Sequence, residues 1–135
     1  MLDASALVKW FKTEGEAHAA EALKVQQWYR EGRISIATTP LLGWELVNIA
    51  SRRWKWPPVL VSQVAAQLLA LDFAVGVPRL AHVVAWANRG LTAYDASYVA
   101  RAEELGAVVV TDDSEMIRLA PAFVCPLAEV ERLAA

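Results

Sequence analysis

What this chain lacks narrows its chemistry first. A single cysteine, Cys125, rules out an internal disulfide framework and points to a reducing, cytoplasmic setting. Only two histidines occur, His18 and His82, isolated from one another and without metal-ligand spacing. No glycine-rich phosphate loop, serine–histidine arrangement or cysteine pair is present. No excess of either charge exists: a net charge of −2 argues against coating nucleic acid by bulk attraction. No apolar run is long enough for a membrane span. The longest uncharged stretch, Trp56 to Leu71, starts beside two prolines and contains Ser62, Gln63 and Gln67. Asp3 already belongs to a structural motif, so no signal peptide is expected ahead of the first element.

What is abundant is apolar. Hydrophobic residues make up 56% of the 135, with six tryptophans among them. One domain over residues 1–135 can bury a substantial core, but a chain this small cannot hide all of that surface, so a partner or a dimer interface is expected.

Along the chain, Met1-Leu2-Asp3 reads as a strand stub and Ala4 to Phe11 as a helix, with a second helix from about Glu14 to Arg30. Ile34 to Ala37 alternates like a strand. Thr39-Pro40 starts a helix running to about Arg53. After Pro57-Pro58 come a helix to Leu71, a strand Phe73 to Val77, a helix Arg79 to Arg89, and a helix from Thr92 to Leu105. Val108 to Val110 is an unbroken apolar strand, followed by a short helix Asp113 to Leu119, a possible strand at Phe123-Val124 and a short helical tail at best. Strands alternating with helices, one continuously apolar, predict an α/β fold with a mainly parallel sheet.

Such a sheet binds ligands at the carboxyl ends of its strands. Asp3 closes the first strand and Asp113 follows Val108–Val110, so both should reach one edge. Glu45 and Asp95 lie in the first turns of the helices that begin at Thr39 and Thr92, which can point at the same edge. Each aspartate also has a plainer reading. Asp3 and Asp113 suit helix N-caps, and Asp95 stands at capping-box spacing from Thr92. Glu45, among Leu41, Leu42, Trp44, Leu46 and Val47, is harder to dismiss, because burying a carboxylate there needs a partner. Only five aspartates occur, and three fall at helix starts of this one pattern. Carboxylates brought together stay ionised only with a cation, and oxygen-only ligands suit Mg²⁺ or Mn²⁺. Metal-assisted hydrolysis is the chemistry this leaves.

The segments Leu2-Asp3-Ala4-Ser5-Ala6-Leu7-Val8-Lys9, Pro40-x-x-x-x-Glu45-x-x-Asn48, Leu91-Thr92-Ala93-Tyr94-Asp95-Ala96 and Val110-Thr111-Asp112-Asp113 together resemble the PIN-domain family, in order and over nearly the whole chain. The closest resemblance is to the VapC-type toxins of toxin–antitoxin pairs. It implies a three-layer α/β/α fold and an endoribonuclease dependent on Mg²⁺ or Mn²⁺. Its acidic residues fall here on Asp3, Glu45, Asp95 and Asp113 as metal ligands, with Glu45 holding metal or orienting the attacking water. Its hydroxyls fall on Ser5 and Thr111. Asn48, one turn from Glu45, is a candidate support, and Asp112 could join or replace Asp113. The family usually has more apolar residues ahead of the first aspartate, so the first strand is either weak or begins upstream.

Arg52, Arg53, Lys55 and Arg89 are candidate RNA contacts, although Arg52-Arg53-Trp54-Lys55-Trp56 reads equally as helix-end packing or a protein contact. The resemblance also implies a cognate antitoxin lying across the active groove; the surplus of tryptophan and aliphatic residues on the early helices fits such a groove and fits a homodimer equally well. The rivals are a catalytically degenerate PIN domain that serves as a scaffold or RNA-binding protein, and a DNA-directed nuclease of the same fold. A dehalogenase-like phosphatase would need an aspartate where Ser5 stands.

Overall fold

The computed structural model describes residues 1–134. Asp3 takes an extended conformation and its carboxylate accepts from the Ala6 amide at 3.2 Å, starting helix α1 (Ala4–Leu7), which tightens into a 3₁₀ turn at Val8–Trp10. Helix α2 (Ala19–Arg30) buries Ala22, Val25 and Trp28 at helical spacing. Strand β1 (Ala37–Thr38) leads into α3 (Leu41–Asn48), which widens into a π-helical turn at Ile49–Arg53. Then come α4 (Pro58–Ala70), β2 (Ala74–Val75), α5 (Leu80–Ala87), α6 (Ala93–Leu105), β3 (Val109–Thr111), α7 (Ser114–Leu119) and β4 (Val124–Pro126), with 3₁₀ turns over Leu127–Ala134.

Every strand pairing is parallel. β1 pairs with β2, and β3 with β4, so among the described residues the strands form two short pairs rather than one long central sheet. The expected first strand is a single bridge from Leu2 to Val110, held by the Val110 amide on the Met1 carbonyl at 2.8 Å. That bridge is enough to carry Asp3 to the carboxyl end of β3.

Other boundaries differ from the sequence reading: the strand expected over Phe73 to Val77 shortens to Ala74–Val75, and the one expected at Phe123-Val124 lies at Val124–Pro126. The second helix starts at Ala19, not near Glu14, because Gly15 (φ 74°) and His18 (φ 56°) adopt left-handed backbone that a helix cannot continue. The first strand of the β1–β2 pair is displaced toward Thr38: Ile36 keeps only a carbonyl contact, accepting from Ala74.

The core collects around α6. Ala96, Tyr98, Val99, Ala100 and Ala102 are wholly buried, so this helix is covered on nearly all sides, and its alanines let neighbouring backbone approach closely. Leu7, Leu46, Val109, Met116, Leu127 and Val130 complete the core from the other elements. Thr92 Oγ1 accepts from the Asp95 amide at 3.1 Å and Gly106 (φ 64°) closes the helix, which sets where its first turn points. By contrast α4, uncharged and mostly apolar, buries only Val64. No helix among the described residues is long and apolar enough to cross a membrane.

Candidate functional site

Asp3, Glu45, Asp95 and Asp113 line one pocket of about 300 Å³, together with Ser5, Lys9, Glu16, Arg53 and Tyr98. They arrive from four separate places: the bridge before α1, the middle of α3, the first turn of α6, and the N-cap of α7.

Asp3 is the most enclosed. Ser5 Oγ donates to its Oδ1 at 2.8 Å, and Thr111 Oγ1 donates to its Oδ2. The same hydroxyls accept from the next loop: Ser5 Oγ from the Asp112 amide and Thr111 Oγ1 from the Asp113 amide, both at 2.9 Å. The two hydroxyls thus clamp the loop that follows β3 onto the first carboxylate. Asp113 Oδ1 in turn accepts from the Met116 amide at 2.8 Å. For Asp3 and Asp113 the capping and pocket readings are therefore both true, since a carboxylate that caps with one oxygen keeps lone pairs for the pocket.

Glu45 is held by the phenol of Tyr98, which donates to its Oε1 at 2.8 Å from a wholly buried position on α6. Tyr98 lies one turn beyond Asp95, so one face of α6 supplies both an acid and the group that holds another acid.

The electrostatics follow from this crowding. Burial pushes the Asp3 carboxyl up to about 7, against the hydrogen bonds from Thr111, Ser5 and Ala6, and the charge of Glu45 pushes it the same way. Burial raises Glu45 as well, with Asp95 adding to it and Tyr98 opposing. Asp95 is raised by burial and then by Asp113. Each of these three acids is thus pushed toward protonation by a neighbouring acid as well as by desolvation. Among the described residues no three His, Cys, Asp or Glu side chains close into a ready-made metal cage. The donor set is nonetheless all-oxygen and short of countercharge, which fits a hard divalent cation rather than zinc.

The remaining candidates are dispersed. Asp112 turns away from the pocket to Lys9 (3.1 Å) and His18 (3.1 Å), leaving Asp113 as the pocket acid. Asn48 is exposed and does not line the pocket, although it stands one turn from Glu45. Arg53 reaches the pocket, whereas Arg52 and Lys55 are exposed on and just past the π-helical turn. Arg89 lies 4.5 Å from the Trp86 ring centroid, over a buried indole. Trp54 and Trp56 pack against each other, ring centroids 4.7 Å apart and planes tilted by 42°, half-buried against the core, which is the packing reading of that segment. Lys9, Glu16 and Tyr98 were not singled out by the sequence; only the helical spacing from Asp95 to Tyr98 hinted at one of them.

A comparison with curated proteins finds no match. Among solved structures the chain is similar to the crystal structure of PAE2754 from Pyrobaculum aerophilum, with 28% identity and a TM-score of 0.70 over 98% of this chain and 93% of that one. Residues 1–121 match the PIN domain family, whose members are generally nucleases that use divalent metals. On that match and the ordered acidic positions it spans, the chain belongs to the PIN domain family.

Proposed function

We propose that this protein is a metal-dependent endoribonuclease, the toxin of a VapBC-like toxin–antitoxin pair, whose single domain over residues 1–135 has the three-layer α/β/α build. The observation that carries this reading is the convergence of Asp3, Glu45, Asp95 and Asp113 on one pocket, with a shortage of positive charge among them. Asp3, Asp95, Asp113 and Glu45 would hold Mg²⁺ or Mn²⁺, which when bound lowers the pKa of a water and offsets charge on the phosphate. Ser5 and Thr111 fix the Asp3 carboxylate, and Tyr98 fixes Glu45. Asp112 supports the cluster indirectly through Lys9, and Asn48 would support Glu45 from one turn along the same helix.

RNA is the proposed substrate, with Arg53 closest to the reacting site and Arg52, Lys55 and Arg89 further along its path. The antitoxin and a homodimer are supported by surface left uncovered. Trp44 on α3, Leu69 on α4, Val75 and Val77 at β2, and Leu80 on α5 are each more than 60% exposed. A groove of about 450 Å³ runs between α3, α4 and β2. A cytoplasmic location completes the reading.

The test is cleavage of structured and unstructured RNA with Mg²⁺, with Mn²⁺ and with EDTA. Cutting is expected only with metal, and cleavage that persists in EDTA, or that prefers DNA, overturns the assignment. Within the same assay Tyr98→Phe, which frees Glu45 from its one phenol, should raise the Mg²⁺ concentration at half-maximal rate by about 10- to 100-fold, the usual range for losing a group that orients a metal ligand. Unchanged metal dependence in that variant would mean the phenol only packs.

A further inference from the structure

One pocket residue has no part in the proposed metal chemistry. Glu16 lies in the turns ahead of α2 and lines the carboxylate pocket beside Lys9 and Arg53. Its Oε2 is 3.9 Å from Lys9 Nζ, and its Oε1 is 4.0 Å from Arg53 Nη2. Charged hydrogen bonds close to about 2.7–2.9 Å, so neither cation is properly bonded to it. Oε1 is also buried without a hydrogen-bond partner among the described residues. A carboxylate straddled by two cations, desolvated but bonded to neither, is a poor occupant of an anion site: Coulomb attraction places it there, and the unsatisfied oxygen penalises it.

The cations themselves are set up differently. The Lys9 side chain is 6% exposed and fixed by Asp112 at 3.1 Å, so its ammonium is a static charge in the pocket wall. Arg53 is 64% exposed, ends the π-helical turn, and has no other ion pair among the described residues, so its fork can turn toward a ligand. Glu16 stands between Gly15 and His18, both left-handed, ahead of the first turn of α2. It can leave without unwinding a helix.

We propose that Lys9 and Arg53 form a phosphate subsite beside the carboxylate cluster, taking a backbone phosphate of single-stranded RNA, and that Glu16 fills this subsite when no RNA is bound. A phosphodiester carries the same single negative charge as Glu16 and accepts an arginine fork in bidentate fashion. The subsite deepens the ribonuclease reading and rests on it for the identity of the ligand. It also gives an acidic chain a local cationic foothold for RNA next to four acids that would otherwise repel it.

The experiment measures binding, not cleavage. A short fluorescein-labelled single-stranded oligoribonucleotide is titrated in EDTA, and again with Mg²⁺ in the Asp95→Asn background, by fluorescence anisotropy. Glu16→Gln is expected to tighten Kd about fivefold and to steepen the salt dependence of binding by about one counterion. Arg53→Ala is expected to loosen Kd by a similar factor, and in that background Glu16→Gln should recover less than half of its gain. Lys9 is left intact because removing it would strand Asp112, and thermal melting of each variant checks the fold. Binding that is unchanged or weaker in Glu16→Gln, a full gain that survives Arg53→Ala, or no RNA binding in any variant overturns the subsite. An Asp95→Asn protein that still cuts RNA sinks the metal mechanism instead, and the Kd comparison in EDTA stands apart from it.

Discussion

Asp95→Asn should lower RNA cleavage at saturating Mg²⁺ by at least about 100-fold, since groups that merely orient metal ligands already account for 10- to 100-fold, and the fold should survive. Asparagine matches aspartate in size, and the backbone amide at this position keeps its bond to Thr92 Oγ1. What disappears is one negative charge facing Asp113 and Glu45. The protein without metal should therefore melt at the same temperature or higher, because mutual repulsion falls while no buried bond is broken. Asp3→Asn is expected to do the same to cleavage. Loss of activity with retained or raised melting temperature distinguishes a metal ligand from a structural residue. If both variants cut RNA at wild-type rate, these carboxylates are not the ligands.

The metal-free protein should also lose stability as pH rises from about 4 to about 7. The Asp3 carboxyl stands at about 7 in the fold against an ordinary value of 3.8. The folded state therefore binds this proton more tightly than the unfolded chain does. Its stabilising effect is complete below the unfolded value and is lost as pH rises through the folded one. At about 1.4 kcal/mol per unit, the span sets an upper limit of about 4 kcal/mol. Denaturant unfolding in EDTA across this range should show the decline in the wild type and a flatter profile in Asp3→Asn, where nothing titrates at that position. Saturating Mg²⁺ should restore stability at neutral pH, by about 2.7 kcal/mol at a hundredfold excess over its Kd, and should do much less for the variant. Parallel pH profiles for wild type and Asp3→Asn would show that Asp3 does not carry the effect. A site assembled for a cation is, on this account, a local weakness of the fold without one.

The positions of the four acids were legible because each sits on a local signal. Asp3 and Asp113 are N-caps written into short segments, Asp95 follows a threonine cap by three residues, and Glu45 lies midway along the helix that Thr39-Pro40 leads into, not in its first turn as the spacing suggested. Helix starts and apolar strands depend on neighbours in sequence, so reading them does not require the rest of the chain. The strand lengths were less legible: Leu2 pairs through one bridge, and β1 and β2 are two residues each, because pairing depends on what another segment offers.

By itself, then, the sequence determined that helices and parallel strands alternate and that the three aspartates would stand at their junctions. Tertiary structure decided which of two adjacent aspartates faces the pocket, sending Asp112 to Lys9 and His18 and leaving Asp113 for the site. It also brought Tyr98 to Glu45 across 53 residues of chain, and set Glu16 between Lys9 and Arg53. Such pairings join segments far apart in the chain. Their geometry depends on how α6, the π-helical turn and the loop before α2 pack, and no spacing within one segment encodes it.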